Sequence, residues 1–364
     1  MKKFFFLLAG IACSLLSYGQ ANQVVWNNGR VQFGMPIVSV DSLTFPDVLL
    51  ESDTMFFILP RSMKHIVHDT VTVVKHDTVT VTNTVTIVKH DTIYIHDGEN
   101  DDALKGAFSV SADKQVVFSR GNLQYTQSTK KWGFAENQYD VIGVDNVTGG
   151  TASYDATYGY SNSGTALADT IDLFGWSANN TTAQWGISTS TTTSDYSGDF
   201  VDWGKNIGDG NTWRTLSKDE WYYLFSTRTD ASSKYGVARI NLNDDGSQYM
   251  NGLIVLPDTW TCPSGITFKS GVADSYGVQY YADYQTFTLS QWQQLEQAGA
   301  VFLPAAGYRT GTSVYNVQYY GYYWSSPADD AVSAWRVGFS GNYVNPQGYG
   351  YRGRGQAVRL AQDL

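Results

Sequence analysis

Trp213-Arg214-Thr215-Leu216-Ser217-Lys218-Asp219-Glu220-Trp221 sets Ser217 three residues ahead of Glu220. That is the spacing of a capping box, in which the hydroxyl and the carboxylate each satisfy a backbone N–H at the start of a helix. Trp221, Leu224 and Phe225 follow at helical spacing, so the sequence predicts a short helix with one buried aromatic side. Ser290-Gln291-Trp292-Gln293 opens a second helix in the same style, carrying Trp292 and Leu295 and stopping at Gly299, a residue suited to a left-handed cap. Short strand candidates surround these helices at residues 116–118, 252–256 and 301–303, and residues 319–360 alternate strand-like runs with glycine-containing turns.

Composition agrees with this reading. The chain of 364 residues is 42% hydrophobic, 16% charged and 15% aromatic, with 35 Gly and 25 Tyr. Such a mixture suits short strands and long irregular loops better than packed helices. The predicted fold class is α+β, an irregular β-rich domain with two short helices over residues 104–364, preceded by a β-hairpin or extended β stalk.

Residues 1–19 read as a signal peptide, with Lys2-Lys3 ahead of an apolar run and small residues at Ser17 and Gly19. Cys13 offers a lipoprotein alternative, although Gly10 stands where a Leu-like residue is expected. No later stretch is long and apolar enough to span a membrane. The expected location is therefore outside the inner membrane after export through the Sec pathway: secreted, at the cell surface or outer membrane, or periplasmic. Formal net charge is −10, and loss of Lys2 and Lys3 with the leader takes it to −12, which argues against nucleic acid as a partner. Cys262 is then the only cysteine, expected as a small buried apolar residue.

Residues 20–61 read as a small β segment built on Val24-Val25-Trp26, Asn27-Asn28-Gly29 and a strand at 31–33. Residues 62–98 read as a β stalk, in which residues 68–97 alternate with period two. Val71, Val73, Val79, Val81, Val85, Ile87, Ile93 and Ile95 occupy odd positions, and threonines the even ones. His-Asp-Thr recurs at 68, 76 and 90, placing every histidine of the repeat on one face and every aspartate on the other. A straight strand over residues 68–97 reaches about 100 Å at about 3.3 Å per residue. A hairpin looped at Thr82-Asn83-Thr84 halves that length and sets Val79 against Ile87 and Lys75 against Asp91, the favoured geometry. An isolated ribbon is marginal in water, so its Val/Ile face is expected to meet another copy or a neighbouring domain. Residues 99–103 are an acidic linker.

All five histidines lie at positions 65 to 96, so residues 104–364 have none. Ser-His-Asp and Cys-His sites, and a His-ligated zinc, are excluded there. Asn241-Leu242-Asn243-Asp244-Asp245-Gly246 imitates a calcium loop, but Gly252 stands at the twelfth position where a bidentate Glu is needed, leaving a tight turn between strands. No catalytic residue, cofactor or metal is assigned. A carboxylate-pair hydrolase acting on polysaccharide survives as a minor alternative.

The expected binding residues are Tyr319, Tyr320, Tyr322, Asn342, Tyr343, Asn345, Tyr349, Tyr351 and Arg352, with Tyr315, Asn316 and Arg354 among the same Gly- and Ser-rich surroundings. Tyrosine offers large contact area with few rotatable bonds, and Asn, Ser and Gly adapt to a partner. Trp324, Trp335 and Phe339 are expected to pack inward instead. The expected ligand is a protein or a glycan.

The stretch from Trp213 to Trp221 resembles the Arg-Leu-Pro-Thr-x-x-Glu-Trp segment of the formylglycine-generating-enzyme-like branch of the C-type-lectin fold. Ala306-Gly307-Tyr308-Arg309, then Gly321-Tyr322-Tyr323-Trp324-Ser325-Ser326, then Ala357-Val358-Arg359-Leu360 follow in the order of the Fibrobacter-type major paralogous domain. The resemblance covers residues 150–360 and, with Asp41-Ser42-Leu43-Thr44-Phe45 and the leader, implies an exported protein of the Bacteroidetes. It implies a C-type-lectin-like fold without the parent activity, which needs paired cysteines where this domain offers only Cys262. The Glu-Pro-Asn, Gln-Pro-Asp and Trp-Asn-Asp tripeptides of calcium-dependent lectins are also missing. What the resemblance leaves is a display scaffold, as in the variable proteins of diversity-generating retroelements. A structural envelope component assembled through the stalk is the alternative from another class.

Overall fold

A computed structural model describes residues 102–210 and 212–364, and before them only the backbone of a few short strands. The chain divides into two compact units, residues 1–101 and 102–364. In the first, Asn22–Asn27 pairs antiparallel with Arg30–Phe33, Val24 standing opposite Phe33, and Ala12–Cys13 pairs with the other side of Asn22–Asn27. Val79–Val81 pairs antiparallel with Leu43–Phe45. The rest of the leader, the hairpin register of the stalk and the His-Asp recurrences lie outside the described residues.

The second unit is built mostly of small sheets with few short helices. One sheet runs in the order Arg214–Thr215, Leu360–Asp363, Gln115–Phe118, Phe108–Ser109, so the last strand lies inside it, with earlier segments on both sides. Another runs Thr286–Thr288, Tyr235–Asn241, Tyr249–Val255, Val301–Pro304. Its central hairpin is closed by residues 242–248, where Asn243 Oδ1 accepts from the Gln248 N–H at 3.1 Å; the supposed calcium loop is a turn. Three antiparallel strands, Gly321–Ala328, Ser333–Ser340 and Tyr343–Tyr351, form a meander near the C-terminus. A five-stranded sheet brings Ser153–Asp155 and Gly159–Ser163 beside Ser313–Val317, Tyr308–Thr310 and Arg354–Gly355.

Helix α1, Lys218–Tyr222, has the expected capping box: Ser217 Oγ accepts from the Glu220 N–H at 3.2 Å, and Glu220 accepts from the Ser217 N–H at 2.8 Å. A single π turn at Tyr223–Thr227 continues it, and Trp221, Leu224 and Phe225 are buried. A short helix α2, Gln279–Tyr284, was not expected; only Tyr281 of it is buried. The third helix, α3, Leu289–Gln297, starts earlier than expected. Its cap is Thr288, boxed with Gln291, and Ser290 lies within its first turn. Thr288 carries the same hydroxyl at the same three-residue spacing, so the sequence held two registers for one motif. Gly299, at φ +95°, ends it as predicted.

The core joins these layers through aromatic side chains, with Trp176, Trp203, Trp221, Trp292 and Trp324 all sealed from solvent. Trp324 donates to the Phe174 carbonyl at 2.7 Å, and Trp176 to the Ser325 carbonyl at 3.2 Å, so both indoles are buried without losing their hydrogen bonds. Phe339 packs inward as expected, whereas Trp335 is half-buried beneath the Lys218 ammonium at 4.2 Å. Cys262 is half-buried rather than buried, its thiol 3.3 Å from the Ile266 carbonyl.

Candidate functional site

The meander register places Tyr322 opposite Gly338, and Gly338 opposite Asn345. A Cβ at Gly338 would approach the Tyr322 ring to 3.2 Å, so the glycine gives the ring room to lie across its neighbour strand. Arg336 shares that face and holds its guanidinium 3.7 Å above the Tyr322 ring. From Tyr322 a run of tyrosines extends in two directions. One way, Tyr322 stacks on Tyr320 at 5.2 Å, Tyr320 meets Tyr319 at 4.2 Å, and Tyr319 meets Tyr158 at 5.7 Å. The other way, Tyr322 meets Tyr308 edge-on at 5.9 Å, and Tyr308 stacks on Tyr315 at 5.4 Å. Tyr343 joins at Tyr320, 6.3 Å between centroids.

The loop carrying Tyr319 and Tyr320 is fixed from below. Asn316 and Gln318 hold positive φ of 61° and 74°. Gln318 answers for this conformation by accepting from the Asn251 N–H at 2.8 Å and donating to the Tyr249 carbonyl at 2.7 Å. The buried Tyr281 hydroxyl donates to the Tyr319 carbonyl at 2.8 Å, which gives α2 its purpose. Tyr158 arrives on the hairpin of residues 153–163, docked by Asn316 Nδ2 donating to its carbonyl at 3.0 Å. Gly159 beside it has φ +78°, and a Cβ there would strike the Val317 carbonyl.

Burial pushes the hydroxyl pKa of Tyr319, Tyr322 and Tyr343 above the usual phenol range, so these groups are neutral donors and acceptors at physiological pH. Burial lowers the pKa of Arg336, while Tyr322 and Tyr343 oppose that shift, and its Nη1 donates to Gln356 Oε1 at 3.2 Å.

The nine expected residues divide. Tyr320 and Tyr343 are half-buried members of the run; Tyr319 and Tyr322 belong to it but are buried, at 4% and 8% exposure, and form its floor. Asn342 occupies the turn after Ser340, whose hydroxyl donates to its Oδ1 at 2.7 Å, and Asn345 is exposed with its Oδ1 turned to the Gln347 N–H at 3.0 Å. Tyr349 is the most open of the expected tyrosines, but stands opposite Trp335 on the other side of the sheet from Arg336. Tyr351 is exposed and lies near Arg354, 5.2 Å from ring centroid to guanidinium.

Arg352 is corrected: it is not a contact residue. Its guanidinium is buried over Trp176 at 4.4 Å and donates to the carbonyls of Ser333, Tyr196, Gly198 and Asp330. Three of those carbonyls, of Tyr196, Gly198 and Asp330, lie outside the strands, Ser333 opens one, and a single fork of donors ties them together. The motif arginines act alike. Arg309 donates to the carbonyls of Ser188, Gly311 and Leu173, and Arg359 to those of Ser119 and Phe302. Arg214 makes two 2.8 Å bonds to Glu220 and reaches Asp363 at 2.6 Å.

Sequence reasoning missed Tyr158, Tyr308 and Arg336 as members of the face. The signal for Arg336 was its place between Trp335 and Val337, a charged residue flanked by apolar ones in a strand. Tyr158 left no local signal, because it reaches the run from more than 150 residues away in sequence.

Among the described residues no group of three or more His, Cys, Asp or Glu side chains converges. Among the described residues, the deeply buried carboxylate with a raised pKa is Asp172, pushed to about 6 by burial. Its oxygens accept from the Ile142 N–H at 2.8 Å and from Asn146 Nδ2 at 2.7 Å, so it knits two loops together.

Residues 285–361 match a family described as Domain of unknown function (DUF8237). That segment contains α3, the meander and every member of the tyrosine run except Tyr158. No curated protein matches the chain, and no solved structure does.

Proposed function

We propose that the unit of residues 102–364 is a non-catalytic binding domain, exported and displayed outside the cell, that recognises a glycan or protein through its tyrosine face. The observation that carries this reading is the connected run from Tyr158 to Tyr315, assembled from four separate segments and backed by rigid hydrogen bonds. Rigid aromatic area bordered by adaptable Asn and Gly is the chemistry of a preorganised paratope. A C-type-lectin-like fold is part of the proposal. It is supported by the motif order and by the pairing of Leu360–Asp363 with Gln115–Phe118, which joins the two ends of the unit.

Glycan arrays and cell-surface pull-downs with the exported chain test it. Tyr158→Ala combined with Tyr315→Ala removes exposed rings from both ends of the run and is expected to weaken the detected interaction at least tenfold. Unchanged binding by the double variant rejects this face.

The two-faced stalk of residues 62–98 supports a second element, assembly of several copies to display several faces. Light scattering with and without residues 62–98 checks this; equal masses reject it.

A further inference from the structure

Next to the tyrosine run lies an open cleft of about 280 Å³, lined by Thr191, Thr193, Thr310, Tyr351, Gly353 and Arg354. That is the small end of ligand sites, which start at about 300 Å³, and it suits one ring-sized group rather than an extended side of a protein. Arg354 is placed by the pairing of Arg354–Gly355 with Tyr308–Thr310, where it stands opposite Thr310. Its guanidinium lies 5.3 Å from the Tyr308 ring and 5.2 Å from the Tyr351 ring. Aromatic faces hold such a cation in place without occupying its in-plane donors.

Arg354 has no carboxylate partner and no side-chain hydrogen bond among the described residues, whereas Arg352 two positions earlier is tied to backbone carbonyls. The acid nearest in sequence to the cleft threonines, Asp195, is turned to the Ser190 hydroxyl at 2.5 Å. In a chain of formal charge −10, a half-buried guanidinium left open beside hydroxyl groups is an unanswered cation. A ligand carboxylate answers it with two parallel charge-assisted hydrogen bonds. Threonine hydroxyls both donate and accept, as sugar hydroxyls do, whereas an acidic peptide brings the carboxylate without a ring of hydroxyls to meet them.

We propose that this cleft receives a carboxylate-bearing sugar of an acidic glycan, with Arg354 on the carboxylate, the threonines on the ring hydroxyls and Tyr351 along the sugar's flat side. The proposal rests on the binding reading above and names its ligand class.

The test uses the whole chain against polygalacturonate, alginate and hyaluronan, each beside its carboxyl-reduced counterpart, with polyglutamate as the acidic peptide. Affinity electrophoresis and calorimetry read the affinities. At least one native polymer is expected to bind about tenfold or more tightly than its reduced form. Arg354→Gln is expected to abolish that preference and Arg354→Lys to restore part of it, both leaving the melting temperature unchanged; Thr193→Val gives a smaller loss. Equal binding of native and reduced polymers overturns the acidic ligand while leaving the tyrosine face as a glycan site. Polyglutamate binding as tight as any polyuronate overturns the sugar. Binding to none of the three, or a preference unchanged in Arg354→Gln, overturns the proposal outright.

Discussion

The scaffold and the face of the C-terminal unit use the same residue in opposite ways. In the scaffold, Arg309, Arg352 and Arg359 are buried and their terminal nitrogens are committed to backbone carbonyls, most of them in loops. On the face, Arg336 and Arg354 lie over tyrosine rings, and Arg354 has its donors open. A fold rich in irregular loops has many carbonyls without ladder partners, and a five-donor fork satisfies several at once. The same fork, left over at the surface, becomes a recognition element. Location of the guanidinium relative to the loops, and not its presence, separates support from recognition.

The widest gap between the two sets is expected in stability. Arg309→Ala orphans three carbonyls and leaves a cavity, and should destabilise the protein by about 4 kcal/mol in urea denaturation. Comparable stability to the parent protein would dissolve the distinction.

Acid sharpens the picture of the scaffold. The folded-state pKa of Asp172 is raised from 3.8 to about 6, so its protonated form favours folding. That contribution is complete below about pH 4 and is lost as pH rises through 6. Two units correspond to about 3 kcal/mol. Relative to Asp172→Asn, the parent protein should therefore lose about that much stability between pH 4 and pH 7. Glu220, Asp258 and Asp363, whose pKa values are lowered, act in the opposite sense in both proteins and cancel in the difference. A flat difference would mean that the N–H donors around Asp172 hold it ionised.

A smaller effect belongs to the helix start. Ser217→Ala removes half of the capping box and should cost about 1 kcal/mol in the same assay. At the low end, Arg354→Ala is expected to stay within about 0.5 kcal/mol of the parent. A loss as large as that for Arg309→Ala would assign Arg354 to the scaffold after all.

What was legible in the sequence follows the range of the interactions involved. Capping boxes act over three residues, so the box at Ser217 was readable directly, and the one near Trp292 was displaced only because Thr288 and Ser290 both carry hydroxyls. Composition announced a tyrosine-rich surface near the C-terminus. It could not sort Arg352 from Arg354, since both precede a glycine in the same Tyr351-Arg352-Gly353-Arg354-Gly355 run. Their fates depend on which loops of residues 190–200 and 330 pass beneath, a matter of long-range packing. Register shifts between Arg336 and Gly338 and between Trp324 and Ala328 also break the strict alternation on which a face assignment depends. Tyr319 and Tyr322 do lie in ring contact with Tyr320, but their depth left no mark in the sequence.

The position of Leu360–Asp363 inside its sheet has a consequence for assembly in time. Gln115–Phe118 and Arg214–Thr215 have no direct ladder to each other; both wait for a strand that a ribosome delivers some 150 to 250 residues later. Contacts this distant in sequence slow folding and concentrate it late. An emerging chain therefore remains unclosed until residues 360–363 are available, and one cut short before them would leave two open ladder edges for other chains to pair with.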